Sequence, residues 1–279
     1  MPEVLEAIIL GVVQGLTEFL PISSTGHLIL AEKALGISGD DFGLRFDAAI
    51  HLGTLTAVLI YFRVLILSII RGWFASIRAR KWNLSRESTL AWLLLMGTIP
   101  AGIAGYLLES TAEDTFREPL LVGVMMLVFS LPMFLAERYG SRQRDLDSIT
   151  PKDSLVMGAA QCLALIPGVS RSGITLSAGM LSGFKREEAA VFVFLLSAPV
   201  IAAAGGKQIF DVLTGDAGSS GLDNELLVYA AGLITAAVVG YLSVAFLLRY
   251  LRFNTLAIFI YYRLILGTIV IALAAAGVL

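Results

Sequence analysis

Apolar runs alternate with short charged segments along the whole of this chain. The first run covers residues 4–20 and stops at Pro21; a second, 28–35, follows His27. Each is shorter than the roughly 20 residues a helix needs to cross a bilayer. A helical hairpin that enters and leaves on one side fits both lengths. Longer runs follow at 46–70, 90–108 and 120–135. The pattern then recurs. A run at 155–166 breaks at Pro167-Gly168 and continues at 174–181, and three further runs occupy 189–204, 226–248 and 253–279. A transmembrane barrel would instead alternate polar and apolar residues in segments of about 10. The pattern predicts an all-α polytopic membrane protein.

Charge orients the runs. Arg71, Arg78, Arg80, Lys81 and Arg86 stand against Glu87 alone, so the segment 71–88 belongs on the cytoplasmic side. Glu109, Glu113, Asp114 and Glu118 surround a lone Arg117 and mark an outside loop. Arg138, Arg142, Arg144 and Lys152 return the chain inside, as do Lys185-Arg186 and later Arg249 and Arg252. Asp211, Asp216, Asp223 and Glu225 mark the outside again. A broken hairpin followed by three spans thus occurs twice. Three is odd, so the second copy is inverted. The expectation is one membrane domain, 1–279, built of two inverted-topology repeats, about 1–146 and 147–279. Each repeat is a re-entrant broken hairpin plus three transmembrane helices, with the hairpin tips meeting near the midplane.

Composition agrees. The chain is 57% hydrophobic and 15% charged, where a soluble domain carries about 25% charged residues. The net charge of −2 says nothing about nucleic acid, but no basic cluster rivals the apolar mass, so membrane lipids and no nucleic-acid partner are expected. The one cysteine, Cys162, rules out an internal disulfide and a cysteine-based metal site. Glu3 and Glu6 stand where a secretory signal would be basic, so no signal peptide is expected.

The polar residues inside the two hairpins carry the candidate chemistry. Residues 14–27 read QGLTEFLPISSTGH, which puts a carboxylate, hydroxyls and an imidazole at membrane depth. Such groups are costly there unless they pair or line a cavity. Residues 167–175 read PGVSRSGIT, and an arginine at a helix centre costs about 2.5–3.5 kcal/mol on insertion scales. An anionic partner for Arg171 is therefore expected, and its fork of donors suits phosphate oxygens. Half-helices starting after each break would add free N–H groups and a favourable dipole. A diphosphate fits two helix starts and one arginine. Glu18 has the chemistry of a general base or metal ligand, and His27 that of an acid, base or nucleophile. Gln14 and Glu18 share a helix face. Ser24 and His27, three apart, become neighbours if the second half-helix has begun.

Together the two motifs resemble the signatures of the bacterial undecaprenyl-diphosphate phosphatases of the bacitracin-resistance type, over the whole chain in length, span order and motif position. The resemblance implies a phosphatase of the bacterial plasma (inner) membrane. Such an enzyme hydrolyses the C55 isoprenyl diphosphate to monophosphate and phosphate, recycling the carrier for peptidoglycan synthesis. It further implies interlocking inverted repeats, a site opening to the periplasmic or outer side, and help from a divalent cation, Mg2+ or Ca2+, with Glu18 as its ligand. By position it implies catalytic roles for Glu18, Ser24, His27 and Arg171, with substrate contacts from Gln14, Ser23, Thr25, Gly168, Ser170, Ser172 and Thr175. Gln14 stands where the family pattern also allows glutamate, which leaves Glu18 as the first motif's only carboxylate and Asp47 as a substitute. Ser24 is the preferred nucleophile, with His27 and metal-bound water as alternatives. A homodimer is one state the chain could adopt.

Blander roles compete. Glu18 could simply pair with Arg171 across the repeat interface. Ser23, Thr25, Ser172 and Thr175 are as well suited to capping helices. His51 and Asp47 are expected to pair structurally with each other, and Arg263 with an acidic group or carbonyl. Gly102, Gly105, Gly123, Gly232 and Gly240 are expected at helix contacts. The rival function is an inverted-repeat transporter or flippase for a lipid phosphate or small anion.

Overall fold

Two half-length helices open the chain. α1 (Glu3–Thr17) stops ahead of Pro21, whose ring disfavours a helical Leu20 and which has no N–H to give. α2 (Ser24–Leu35) begins with Ser23 as its cap, the Ser23 Oγ accepting from Gly26 N at 3.4 Å, and closes on Gly36 at φ 70°. This computed structural model describes residues 3–37, 39–115, 118–214 and 225–279, with side chains throughout except at 39–45, 108–115 and 207–214. The acidic-loop expectations at Arg117, Asp216 and Asp223 lie outside the described residues, as do the side chains of Glu109, Glu113, Asp114 and Asp211.

α3 (Gly39–Tyr61) and α4 (Arg63–Ala79) replace the single straight run expected over 46–70, and their axes differ by 80°. The cause lies in the basic residue that follows the break. Arg63 is exposed at the start of α4, and a straight continuation of the run 46–70 would hold it in hydrocarbon. Arg63 instead turns back to donate to the Ile60 carbonyl at 3.1 Å. α4 docks on α5 (Arg86–Thr115) through Ser76, whose Oγ accepts from Trp92 Nε1 at 3.0 Å. The expected span 120–135 is present as one candidate span, Pro119–Tyr139, interrupted only at Phe129 between α6 (Pro119–Val128) and α7 (Ser130–Tyr139). Pro132 has no N–H for the Val128 carbonyl and crowds it.

The second half starts from a reciprocal cap. Thr150 Oγ1 accepts from Asp153 N at 3.3 Å while the Asp153 carboxylate accepts from Thr150 N at 2.9 Å, opening α8 (Pro151–Cys162). A 3₁₀ turn at Leu163–Leu165 leads through Pro167-Gly168 to α9 (Arg171–Leu181). α10 (Arg186–Thr214), α11 (Glu225–Phe253) and α12 (Ala257–Ala275) complete the chain. Among the described residues five helices are long and apolar enough to cross a membrane, and six if the bent α3–α4 pair counts as one span. This is a multi-pass, all-helical membrane protein.

Helices of one half pack mainly on helices of the other. α11 lies against α1 and α3, α12 against α6, and α10 against α3 and α5. Small residues allow the approach: a methyl on Gly15 would sit 2.8 Å from Gly240 N, and one on Gly11 2.7 Å from Gly232 O. Gly123, Gly232 and Gly240 make the expected close contacts, whereas a methyl on Gly102 or Gly105 would meet nothing within 4 Å among the described residues. The largest apolar cluster joins Phe19 and Phe62 of the first half to Phe192, Phe194 and Leu247 of the second.

Candidate active site

The two breaks meet, and the contact between them is direct. Ser172 Oγ donates to the Leu20 carbonyl at 3.1 Å, tying the second tip to the first. The tips share an unusual backbone. Ser23 holds φ 80° and ψ 98°, and Ser170 holds φ 72° and ψ 105°, a region that L-residues avoid. Each is the cap of its half-helix. Ser170 Oγ accepts from Gly173 N at 3.2 Å, as Ser23 Oγ does from Gly26 N. Gly168, at φ 92°, belongs to the same loop, and a methyl there would lie 2.6 Å from the Val122 carbonyl.

Glu18 sits where the tips converge, 7% exposed. Its Oε1 faces Arg171 Nη2 at 3.1 Å, and its Oε2 accepts from Ser24 Oγ at 2.7 Å and from Gln14 Nε2 at 3.2 Å. The pairing of Glu18 with Arg171 is therefore real, and it gives the half-buried guanidinium its counter-charge. It does not exclude chemistry, because the other N–H groups of Arg171 have no partner among the described residues. A cavity of about 30 Å³ opens beside these groups, lined by Glu18, Ser23, Ser24, Thr25, Ser170 and Arg171 among others. A second, larger cavity of about 290 Å³ shares Arg171 as wall, with Asp47, His51 and Gln161 among its polar lining.

The structure redistributes the remaining candidates. His27 does not reach Glu18 or Ser24 among the described contacts. Its Nδ1 lies 2.7 Å from the Ser23 carbonyl, which makes Nδ1 the donor, and its Nε2 lies 2.7 Å from Tyr262 Oη. With the proton on Nδ1 of a neutral ring, Nε2 accepts from the tyrosine. His27 therefore braces the peptide that carries Ser23. Thr175 spends its hydroxyl on the Arg171 carbonyl at 2.5 Å and points along its own helix. Ser172 serves the tip contact already described.

Three residues enter that spacing alone undervalued. His51 and Asp47 pair as expected, though through the backbone: His51 Nδ1 takes the Asp47 carbonyl at 2.7 Å, while its Nε2 faces Glu18 Oε2 at 3.8 Å. Arg263 is fully buried and pairs with carbonyls. It donates from Nη2 to Gly168 O at 3.0 Å and Met126 O at 3.2 Å, and from Nε to Ser130 Oγ at 3.3 Å. The carbonyl of Met126 lies just ahead of the α6–α7 break, so Arg263 links that break to the second tip. Tyr262, its neighbour, holds His27. Only the polar character of Tyr262-Arg263 within an apolar run could have flagged either.

Fold and site together define a multi-pass membrane protein in which one carboxylate, one arginine and two serine-capped helix starts converge. Comparison with known proteins narrows this. A family model described as bacitracin resistance protein BacA matches residues 7–269, and the chain belongs to that family. A protein of Rubrobacter xylanophilus named undecaprenyl-diphosphatase is 43% identical over 98% of this chain and 99% of its own. Proteins of the same name from Trichlorobacter lovleyi and Corynebacterium glutamicum are 42% and 41% identical, covering 99% and 98% of this chain and 99% and 92% of theirs.

Proposed function

We propose that this protein is an undecaprenyl-diphosphate phosphatase of the bacterial inner membrane, releasing inorganic phosphate from the isoprenyl diphosphate and returning the monophosphate carrier to cell-wall synthesis. The observation that carries the reading is the Ser24–Glu18–Arg171 cluster: a hydroxyl 2.7 Å and a guanidinium 3.1 Å from one buried carboxylate, beside a polar cavity. The terminal phosphoryl group enters between the tips and competes with Glu18 for Arg171. The N–H groups at the starts of α2 and α9 and the hydroxyl of Ser170 share its charge. Ser24 Oγ attacks the terminal phosphorus, its proton passes to Glu18, and the bond to the bridging oxygen breaks. Prenyl monophosphate departs as an already stabilised anion, so the step needs little help from an acid. Glu18 gives that proton up to solvent as the monophosphate leaves; water then attacks the phosphoserine, its proton passing through Glu18 to Ser24 Oγ as the serine P–O bond breaks and phosphate is released. His27 positions this machinery through the Ser23 peptide, and His51 supports the charge on Glu18.

The same reading takes the halves as inverted repeats, about 1–146 and 147–279, and the site as opening outward. The matching dihedral angles at Ser23 and Ser170 support a repeat. A divalent cation fits less well as a resident. Glu18 is the cluster's only carboxylate and both its oxygens are engaged, and among the described residues no three His, Cys, Asp or Glu side chains come together. A cation that assists would arrive on the diphosphate's own oxygens, as Mg2+ commonly does. The transporter alternative loses ground, because a carrier needs no hydroxyl seated on a carboxylate.

Phosphate release from a prenyl diphosphate by the detergent-solubilised protein tests the proposal. Ser24→Ala, Glu18→Gln and Arg171→Ala should each lower turnover about a hundredfold or more. Wild-type turnover in any of the three would remove that residue from the mechanism, and a protein that released no phosphate would overturn the function.

A further inference from the structure

The two cavities share Arg171 as a wall, and one polar group in the larger has no assigned task. Gln161 is 3% exposed and lines the cavity of about 290 Å³, and its Nε2 is buried without a hydrogen-bond partner among the described residues. A buried amide donor left unpaired costs about 1–3 kcal/mol. Gln161 stands before Pro167 much as Gln14 stands before Pro21, yet the two amides differ in employment. Gln14 Nε2 donates to Glu18 at 3.2 Å, while no carboxylate reaches Gln161 Nε2.

Resting on the phosphatase reading, we propose that the larger cavity holds the phosphate that stays on the lipid, and that the Gln161 amide, its Nε2 buried at rest, turns on binding to donate from Nε2 to the phosphate oxygens. Arg171 and Ala164 line both cavities, so one arginine separates the two phosphates and can serve both. The smaller cavity, about 30 Å³, has room for one small polar group. The larger one adds apolar walls from Ala48, Ala101, Val200 and Ile201, which suit the first isoprene units. Asp47, the only carboxylate among its lining residues, already has an interaction of its own. Gln161 thereby reads the part of the substrate that survives as product.

The test uses the full chain in detergent and compares three ligands: a short prenyl monophosphate, the matching prenyl alcohol and inorganic phosphate. In the wild type the monophosphate should bind more tightly than the alcohol by calorimetry. Gln161→Leu should shrink that gap about tenfold and raise KM for the diphosphate more than it lowers kcat. Affinity for inorganic phosphate, held at the smaller cavity, should stay within about twofold. Gln161→Glu keeps the side chain's length and should shrink the gap further, and it carries the test if the leucine variant fails to fold. An unchanged gap in a folded variant would overturn the proposal, and so would an equal loss of inorganic phosphate. A wild type that binds the monophosphate through Gln161 but releases no phosphate would instead overturn the phosphatase reading.

Discussion

At the scale of single residues, Ser23 and Ser170 carry backbone strain of order 1–3 kcal/mol each that the surroundings must hold in place. His27 is part of that restraint through the Ser23 carbonyl, and Tyr262 fixes the ring by its hydrogen bond to Nε2. Removing the phenol hydroxyl takes away one hydrogen bond, worth about 1 kcal/mol. Tyr262→Phe should therefore lower kcat roughly fivefold in a phosphate-release assay. His27→Ala should cost more, because it frees the peptide itself. Equal activity in both variants and the wild type would remove His27 from the positioning role. Arg263 is the harsher case. Arg263→Met leaves Gly168 O and Ser130 Oγ without the Arg263 donor, while Met126 O keeps that of Ser130 Oγ, and should cost about 2 kcal/mol or more. A fall in thermal midpoint should accompany the loss of activity, with partial recovery in Arg263→Lys. A midpoint equal to wild type in Arg263→Met would refute this account of the second tip.

Among the elements, the half-helices were legible in the sequence because proline and glycine interrupt apolar runs at corresponding places, and backbone physics forbids a continuous helix there. The 80° turn between α3 and α4 was not, since hydropathy averages over Arg63 and only the three-dimensional position of that residue makes a straight helix costly. The break at Phe129 could have been read from Pro132. The start of α8 carries a pH-dependent element. Burial by itself would raise the Asp153 carboxyl, but donation from Arg144 at 2.7 Å and from the Thr150 hydroxyl and N–H outweighs it and holds the group below its ordinary value. A carboxylate held low in the folded state adds stability that is fully present above its unfolded value, about 3.9. That stability is lost as pH falls through the lower folded value. Asp153→Asn should thus destabilise the protein by about 1 kcal/mol at neutral pH, the worth of a helix cap. The difference from wild type in thermal midpoint should close as pH drops below about 4. A gap independent of pH would show that the charge of Asp153 is not what matters.

For the molecule as a whole, the order of spans and the pairing of the two motifs followed from apolar runs and loop charge, but the interlocking did not. Glu137 illustrates why. Its carboxylate accepts from Arg186 at 2.5 and 2.7 Å, from Arg142 at 3.0 Å and from Leu256 N at 2.7 Å, joining three chain segments that no local spacing connects. The same is true of His51 beside Glu18, since residues 33 positions apart meet only once the helices pack. Loop charge predicts sidedness, and by that rule the Glu137 clasp belongs on the cytoplasmic face together with the basic end of α4. In a Cys162→Ser background, single cysteines at Asn83 and Ser141 should then react with a membrane-impermeant thiol reagent only when the inner face is exposed. A cysteine at Glu118, which is exposed at the opposite end of α5 and α6, should react from outside in intact cells. Those two faces also bracket the tips, so an outward site requires that Thr25→Cys, at the mouth of the smaller cavity, be labelled from outside and be protected by inorganic phosphate. Labelling of Asn83→Cys from outside would invert the whole assignment. Labelling of Thr25→Cys only from inside would keep the fold and reverse the side from which the lipid head is reached.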